Sequence, residues 1–292
     1  MKAFKKIAAR IIALVALLIG MNFFYATYLF EGDLQRYSPM IKQLRAIPQK
    51  TDVLYFGESS NLTSAETDTD KRKISELISD HYPGLTITDI TKDAAHAGIY
   101  LSYLKNIPKD KDIKTVVITL NLRSFGAAWI HSGLESSLQR DAVLMGDAPP
   151  FVKRIFLSFR NYDVKSEQER ILAMKSQWSR ETLHIPGKFP YKNVVEWDEA
   201  VGATGVKNDD GSIDAKTNLA CHYIKSYGFQ IDTLTNPRVE DFNEIVNYAK
   251  ARGWNIVFNL LAENTQKARE LVGENLIYLM EQNGTLLTEY YS

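Results

Sequence analysis

The sequence predicts an α/β fold, a three-layer α/β/α sandwich with a parallel sheet, preceded by one N-terminal transmembrane helix. Two observations predict the sandwich: near-continuous apolar runs that end in polar turns, and helical patterns that alternate with those runs. A third observation, the uncharged stretch 11–30, predicts the membrane helix. The 292 residues are enough for one large domain with a substantial core.

The N-terminal segment differs in character from the rest of the chain. Residues 1–10 carry basic side chains and no acidic one, and residues 11–30 carry no charge at all. As a helix, such a run spans a bilayer core of about 30 Å. The basic flank predicts a cytoplasmic tail at 1–10, a transmembrane anchor at 11–30 and an extracytoplasmic location for everything after Glu31. The alternative is a cleaved signal peptide, whose apolar core is normally about 7–15 residues long.

After the anchor, we expect a stalk at 31–51 and a single domain at 52–292. The predicted strands are 52–57, 85–90, 113–122 and 254–261, and the predicted helices are 70–84, 97–108, 239–253 and 264–284. The region of about 124–237 does not keep this alternation. We interpret it either as an insertion over the carboxyl ends of the strands, where open α/β sheets bind ligands, or as ordinary surface structure.

Composition narrows the classes of function. The formal net charge is zero, which gives no sign of nucleic-acid binding. A single cysteine, Cys221, permits neither an internal disulfide nor a cysteine zinc site. The sequence has no phosphate-binding loop, dinucleotide fingerprint or zinc-protease motif, so we expect no cofactor and no metal.

Polar residues follow the first three predicted strands. Ser59 comes after the first strand, Gly98 after the second and Asn121 at the end of the third. Carboxyl ends of parallel strands share one edge of the sheet, so these residues are expected to converge there. A hydroxyl, a backbone N–H and an amide are the parts of an acyl-transfer site, with one nucleophile and an oxyanion hole.

Three short blocks, FGESSN, AAHAG and ITLNLRSF, resemble in order and spacing the motifs of the SGNH (GDSL-like) hydrolase superfamily. The resemblance covers residues 52–125 and the later strand and helix. It implies that Ser59 is the nucleophile and that the Gly98 N–H and the Asn121 amide are oxyanion donors. Glu58 stands where the family usually has aspartate, and Thr119 where it often has glycine.

The family also places an Asp-x-x-His pair after its last strand, with the histidine as general base. This sequence ends at Ser292 before any such strand, so we expect either truncation at the C-terminus or a protein that lacks the pair. One Asp-x-x-His occurs elsewhere, from Asp93 to His96, on a different loop from the family's. His96 is therefore the alternative base.

The resemblance implies ester chemistry through an acyl-serine, as a hydrolase or an O-acyltransferase. Combined with the anchor, it leads us to expect an extracytoplasmic enzyme that acts on cell-envelope or extracellular glycan esters or small esters. A membrane acyl-donor protein is the expected partner. The alternative is a non-catalytic, membrane-anchored binding or assembly module with the same fold.

Each candidate residue also has a structural interpretation. Ser59 is also a common turn residue, Asn121 can cap the end of its strand, and Gly98 can simply begin a helix. Arg123, beside the expected crevice, can bind a substrate carboxylate or phosphate, or form a surface salt bridge.

Overall fold

The protein is built around a four-stranded parallel sheet surrounded by helices, which confirms the α/β class. A computed structural model describes residues 2–64, 66–146, 150–160, 162, 164–180, 193–197, 199, 210–212 and 214–292. Parts of the predicted insertion 124–237, among them His184, lie outside these residues.

The sheet has the strand order β2-β1-β3-β4, and all neighbouring strands are parallel. The strands are β1 (Lys50–Gly57), β2 (Ile87–Thr91), β3 (Asp112–Leu120) and β4 (Asn255–Leu260). From β1 the chain first adds β2 on one side and then returns to add β3 on the other. The strand order therefore reverses between β1 and β3, and a crevice is expected between their carboxyl ends.

Fourteen α-helices are defined within the described part of the chain. They are α1 (Lys2–Phe24), α2 (Phe30–Tyr37), α3 (Pro39–Ala46), α4 (Ile74–His81), α5 (Ala97–Lys105), α6 (Ala127–Ile130), α7 (Gly133–Leu144), α8 (Pro150–Phe159), α9 (Glu167–Trp178), α10 (Val194–Trp197), α11 (Ala215–Tyr227), α12 (Pro237–Arg252), α13 (Thr265–Leu271) and α14 (Glu274–Tyr290). A π-helical segment, Tyr25–Leu29, joins α1 to α2.

One face of the sheet is apolar and packs against α5 and α12. The Phe56 ring of β1 lies 5.8 Å from Tyr100 and 6.4 Å from Tyr103 of α5, between ring centroids. Phe242 of α12 meets Phe258 of β4 edge to face at 5.0 Å. Because alternate strand residues point to opposite faces, these aromatic contacts fix which side of each strand faces the core.

The other face of the sheet is more polar. The hydroxyl of Tyr55 on β1 accepts hydrogen bonds from Thr119 of β3 at 3.4 Å and Asn259 of β4 at 3.3 Å. Lys73, just before α4, forms an ion pair with Asp89 of β2 at 3.1 Å, and this pair holds the start of α4 beside this face. The complete three-layer sandwich stays a prediction.

The N-terminal helices run from the apolar segment into the core. Among the described residues, the helical stretch Ala3–Tyr37 is long and apolar enough to cross a membrane. Within the predicted stalk 31–51, α3 buries Met40, Ile41 and Leu44 in the main hydrophobic core. Thus part of this segment packs as an element of the domain, because its apolar residues recur at helical spacing.

The single helix predicted at 264–284 is wrong. The chain forms two helices there, α13 and α14, which are separated at Gly273. Gly273 has a φ of +115°, a conformation that glycine adopts readily and that other residues avoid. The apolar pattern continues across this break, and such a continuous pattern predicts a single helix.

We predict that Phe242→Ala destabilises the domain by about 3–5 kcal/mol, because it leaves a cavity among packed rings. Phe242 is 1% exposed and also stacks on Phe125, with 5.7 Å between ring centroids. Urea unfolding of the full chain in mild detergent measures the change. Leu234→Ala is the control, since Leu234 is 92% exposed. Equal effects of the two substitutions would contradict this packing.

Candidate active site

A buried hydrogen bond joins the loop after β1 to the loop after β3. Glu58 directly follows β1, and Asn121 directly follows β3. Asn121 Nδ2 donates to Glu58 Oε1 at 2.6 Å. Glu58 is 3% exposed and Asn121 5% exposed, so this bond forms away from water. The two loops therefore meet at the place where the strand order reverses.

Ser59 begins the short 3-10 turn that follows Glu58, and it is half-buried. Its carbonyl oxygen accepts from the Leu62 N–H at 2.9 Å. Asn61, at the end of this turn, is buried and fastens it to neighbouring elements: its Nδ2 donates to Thr91 Oγ1 at 2.7 Å, and its Oδ1 accepts from the Ser75 N–H at 3.0 Å. Ser59 is thus held on a fixed turn beside the carboxyl end of β1.

Asn121 performs two tasks at once. Besides donating to Glu58, it accepts through Oδ1 from the Arg123 N–H at 3.2 Å and so caps the 3-10 turn Leu122–Phe125. The capping role matches the structural interpretation of this residue. The side-chain nitrogen of Asn121 carries two N–H groups. One of them is hydrogen-bonded to Glu58, and the second can donate to a further acceptor.

Gly98 lies in the first turn of α5, against α12. A Cβ at this position would lie 3.0 Å from Asp241 Oδ2 and 3.2 Å from the His96 ring, so a larger residue would require these two side chains to shift. The Gly98 N–H, predicted as an oxyanion donor, donates to His96 Nδ1 at 3.2 Å. This bond engages the Nδ1 lone pair, so neutral His96 carries its proton on Nε2. His96 can act as a base only after this bond opens.

Arg123, in the 3-10 turn after β3, lies beside Glu58. Its Nη2 is 3.7 Å from Glu58 Oε1, and its guanidinium lies over the Trp129 ring, 4.8 Å from the centroid. Nε of Arg123 is buried and has no hydrogen-bond partner within the described part of the chain. Arg123 therefore pairs with a buried carboxyl group, in contrast to the surface salt bridge given as its structural alternative.

The ionisation of Glu58 reflects a competition between burial and its polar neighbours. Burial raises the pKa of Glu58, while the Asn121 hydrogen bond and the Arg123 charge lower it, and burial has the larger effect. The negative charge of Glu263 adds to the increase. A carboxyl group with a raised pKa in a crevice is a common feature of functional sites.

Three further residues of this neighbourhood, Tyr227, His222 and Glu263, were not among the candidates predicted from the sequence. Burial and a hydrogen bond with Glu263 raise the pKa of Tyr227 on α11. Partial desolvation lowers the pKa of His222 on the same helix, and the charge of Arg123 lowers it further. Glu263 follows β4 closely, and this position was the one signal that could have identified it.

Of the three predicted site residues, Ser59 and Asn121 lie on loops that the Glu58–Asn121 hydrogen bond joins. Gly98 instead lies next to α12 and His96. Among the described residues, no cluster of three or more His, Cys, Asp or Glu side chains is arranged to hold a metal ion. The chemical groups gathered here are a hydroxyl, amide protons, a protonatable carboxyl group and a guanidinium. They suit the binding of a polar, oxygen-rich ligand.

No protein-family model matches the chain, and no curated protein matches it. The resemblance of the three sequence blocks to SGNH hydrolases therefore has no support from these comparisons.

We predict that Glu58→Gln stabilises the protein increasingly as pH rises. A carboxyl group whose folded pKa is raised contributes stability below its ordinary pKa of 4.5, and this contribution is lost as pH rises through the folded pKa. Glutamine keeps the acceptor for Asn121 without ionising. Urea unfolding between pH 4 and pH 8 measures the difference.

Glu281→Gln, on an exposed part of α14, is the matched control for removing one carboxyl group. A Glu58→Gln variant that is less stable than the unmodified chain at pH 8 would show that the ionised carboxylate is favoured, contrary to the pKa direction.

Proposed function

We propose that the chain is a membrane-anchored, SGNH-like ester hydrolase or O-acyltransferase with a three-layer α/β/α sandwich domain. The observation that carries this proposal is the position of Ser59. It opens a fixed turn directly after β1, next to a glutamate that binds Asn121 from the loop after β3. In open α/β sheets this edge is where ligands bind.

The proposed reaction proceeds in two steps through an acyl-serine. Ser59 Oγ attacks the ester carbonyl, the new Oγ–acyl bond forms, the acyl–alkoxy bond breaks, and the serine proton leaves with the alcohol. Water or a sugar hydroxyl then attacks the acyl-serine and gives a carboxylic acid or a new ester. The second N–H of Asn121 stabilises the oxyanion, and one such donor accounts for about 3 kcal/mol of the barrier.

The membrane topology suggests the substrate class. Basic residues lie just before the Ala3–Tyr37 helix and within its first turns, which supports a cytoplasmic N-terminus and an extracytoplasmic domain. An anchored enzyme facing outward meets acylated cell-envelope and extracellular glycans. A membrane protein that supplies acyl groups would be its partner in the transfer reaction.

A second candidate is a non-catalytic binding or assembly module with the same fold. The specific observation in its favour is that both predicted oxyanion donors already donate within the protein. The Gly98 N–H is bonded to His96, and one N–H of Asn121 is bonded to Glu58. In this case the crevice holds an acylated glycan without attacking it.

Labelling with a fluorophosphonate distinguishes the two candidates. We expect the full-length chain in mild detergent to be labelled covalently, because the probe reacts with activated serine hydroxyls. Ser59→Ala should abolish labelling, and Ser60→Ala, its neighbour in the same turn, should retain it. Absence of label on the unmodified chain, or equal labelling of Ser59→Ala, would rule out the acyl-serine and favour the binding module.

A further inference from the structure

Helix α8 presents large apolar side chains to its surroundings. Phe159 is 82% exposed, Phe156 64% and Ile155 38%. At 100° per residue these three side chains form one continuous stripe along the helix. Single exposed apolar residues are common on protein surfaces, but two phenylalanines and an isoleucine on one short stripe form a patch that normally has a partner.

The opposite side of α8 faces the protein. Leu157 is buried, with 4% exposure, and the guanidinium of Arg154 lies 5.8 Å from the centroid of the Phe30 ring. The helix is therefore seated on the chain by one side, and its apolar stripe points away from that contact. The stripe is consequently a free surface of the domain rather than an unfinished part of the core.

The position of α8 identifies what meets this surface. The helix contacts α1, which contains most of the apolar stretch 11–30, and the π-helical segment Tyr25–Leu29 near the end of that stretch. Phe30, which Arg154 covers, is the last residue of that stretch. If the stretch crosses a bilayer, α8 lies at the level where the chain leaves it.

The charges of α8 fit the same location. Lys153 of α8 and Arg160, which directly follows the last residue of α8, are exposed and lie before and after the apolar stripe along the chain, and the described residues of α8 carry no acidic side chain. Helices that lie in a membrane interface have this composition: aromatic and aliphatic residues on the side facing the acyl chains, and basic residues that reach the phosphate groups.

We propose that α8 is an interfacial helix that lies in the outer leaflet of the membrane crossed by α1. The apolar stripe enters the boundary between headgroups and acyl chains, and Lys153 and Arg160 contact lipid phosphates. The domain is then held at two points, the anchor and α8, and its orientation relative to the membrane is fixed. This inference is independent of the chemistry proposed for Ser59.

Site-specific fluorescence tests the proposal with the full-length chain in phosphatidylcholine–phosphatidylglycerol liposomes. Cys221→Ala removes the one native cysteine, and Phe159→Cys or Leu234→Cys then accepts an environment-sensitive dye. Leu234 is the matched control because it is 92% exposed on another part of the domain. We expect the dye at 159 to shift to the blue and to be quenched by nitroxide-labelled lipids, and the dye at 234 to do neither.

A measurement without a dye excludes the possibility that the attached dye itself drives insertion into the membrane. In the liposomes, the amides 153–160 of the full-length chain should exchange hydrogen more slowly than the amides of other helices with exposed side chains. The double substitution Phe156→Ser and Phe159→Ser should accelerate exchange at 153–160. Leu234→Ser should leave this segment unchanged.

Equal spectra at 159 and 234 in the liposomes, or unchanged exchange in the double variant, would overturn the proposal. A blue shift at 159 that occurs in native membranes but not in liposomes of the purified chain would also overturn it. That result would assign the stripe to a protein partner instead of lipid.

Discussion

The candidate site depends on the buried hydrogen bond between Asn121 and Glu58. It connects two loops that are 63 residues apart in the chain and forms where water cannot replace it. A buried donor or acceptor left without a partner costs about 1–3 kcal/mol, so each of the two side chains constrains the other. The positions of Ser59, next to Glu58, and of Arg123, whose backbone N–H is bonded to Asn121, follow from this one contact.

The sheet explains why these loops meet. Its strand order reverses between β1 and β3, and the helices α5 and α12 cover its apolar face. The hydrogen bonds of Asn61 hold the turn after β1 against neighbouring elements and so fix the orientation of this loop. A rigid frame that positions polar loops is the usual basis of binding and catalysis in α/β proteins.

Much of the frame could be predicted from the sequence, because buried strands give continuous apolar runs and helices give a period of 3.6 residues. The pattern did not reveal the break at Gly273, since the apolar positions continue across it. From the sequence, the site could be located only at the ends of the strands, without the contacts between its residues. Hydrogen-bond partners such as Glu58 for Asn121, or His96 for Gly98, depend on tertiary distances that one sequence does not encode locally.

A double-mutant cycle between Glu58 and Asn121 tests the central contact most directly. The free energy of unfolding would be measured for the unmodified chain, Glu58→Ala, Asn121→Ala and the double variant. We expect the two substitutions to be coupled by about 0.5–3 kcal/mol, the range for residues in one hydrogen-bond network. Additivity within about 0.3–0.5 kcal/mol, as for distant sites, would contradict it.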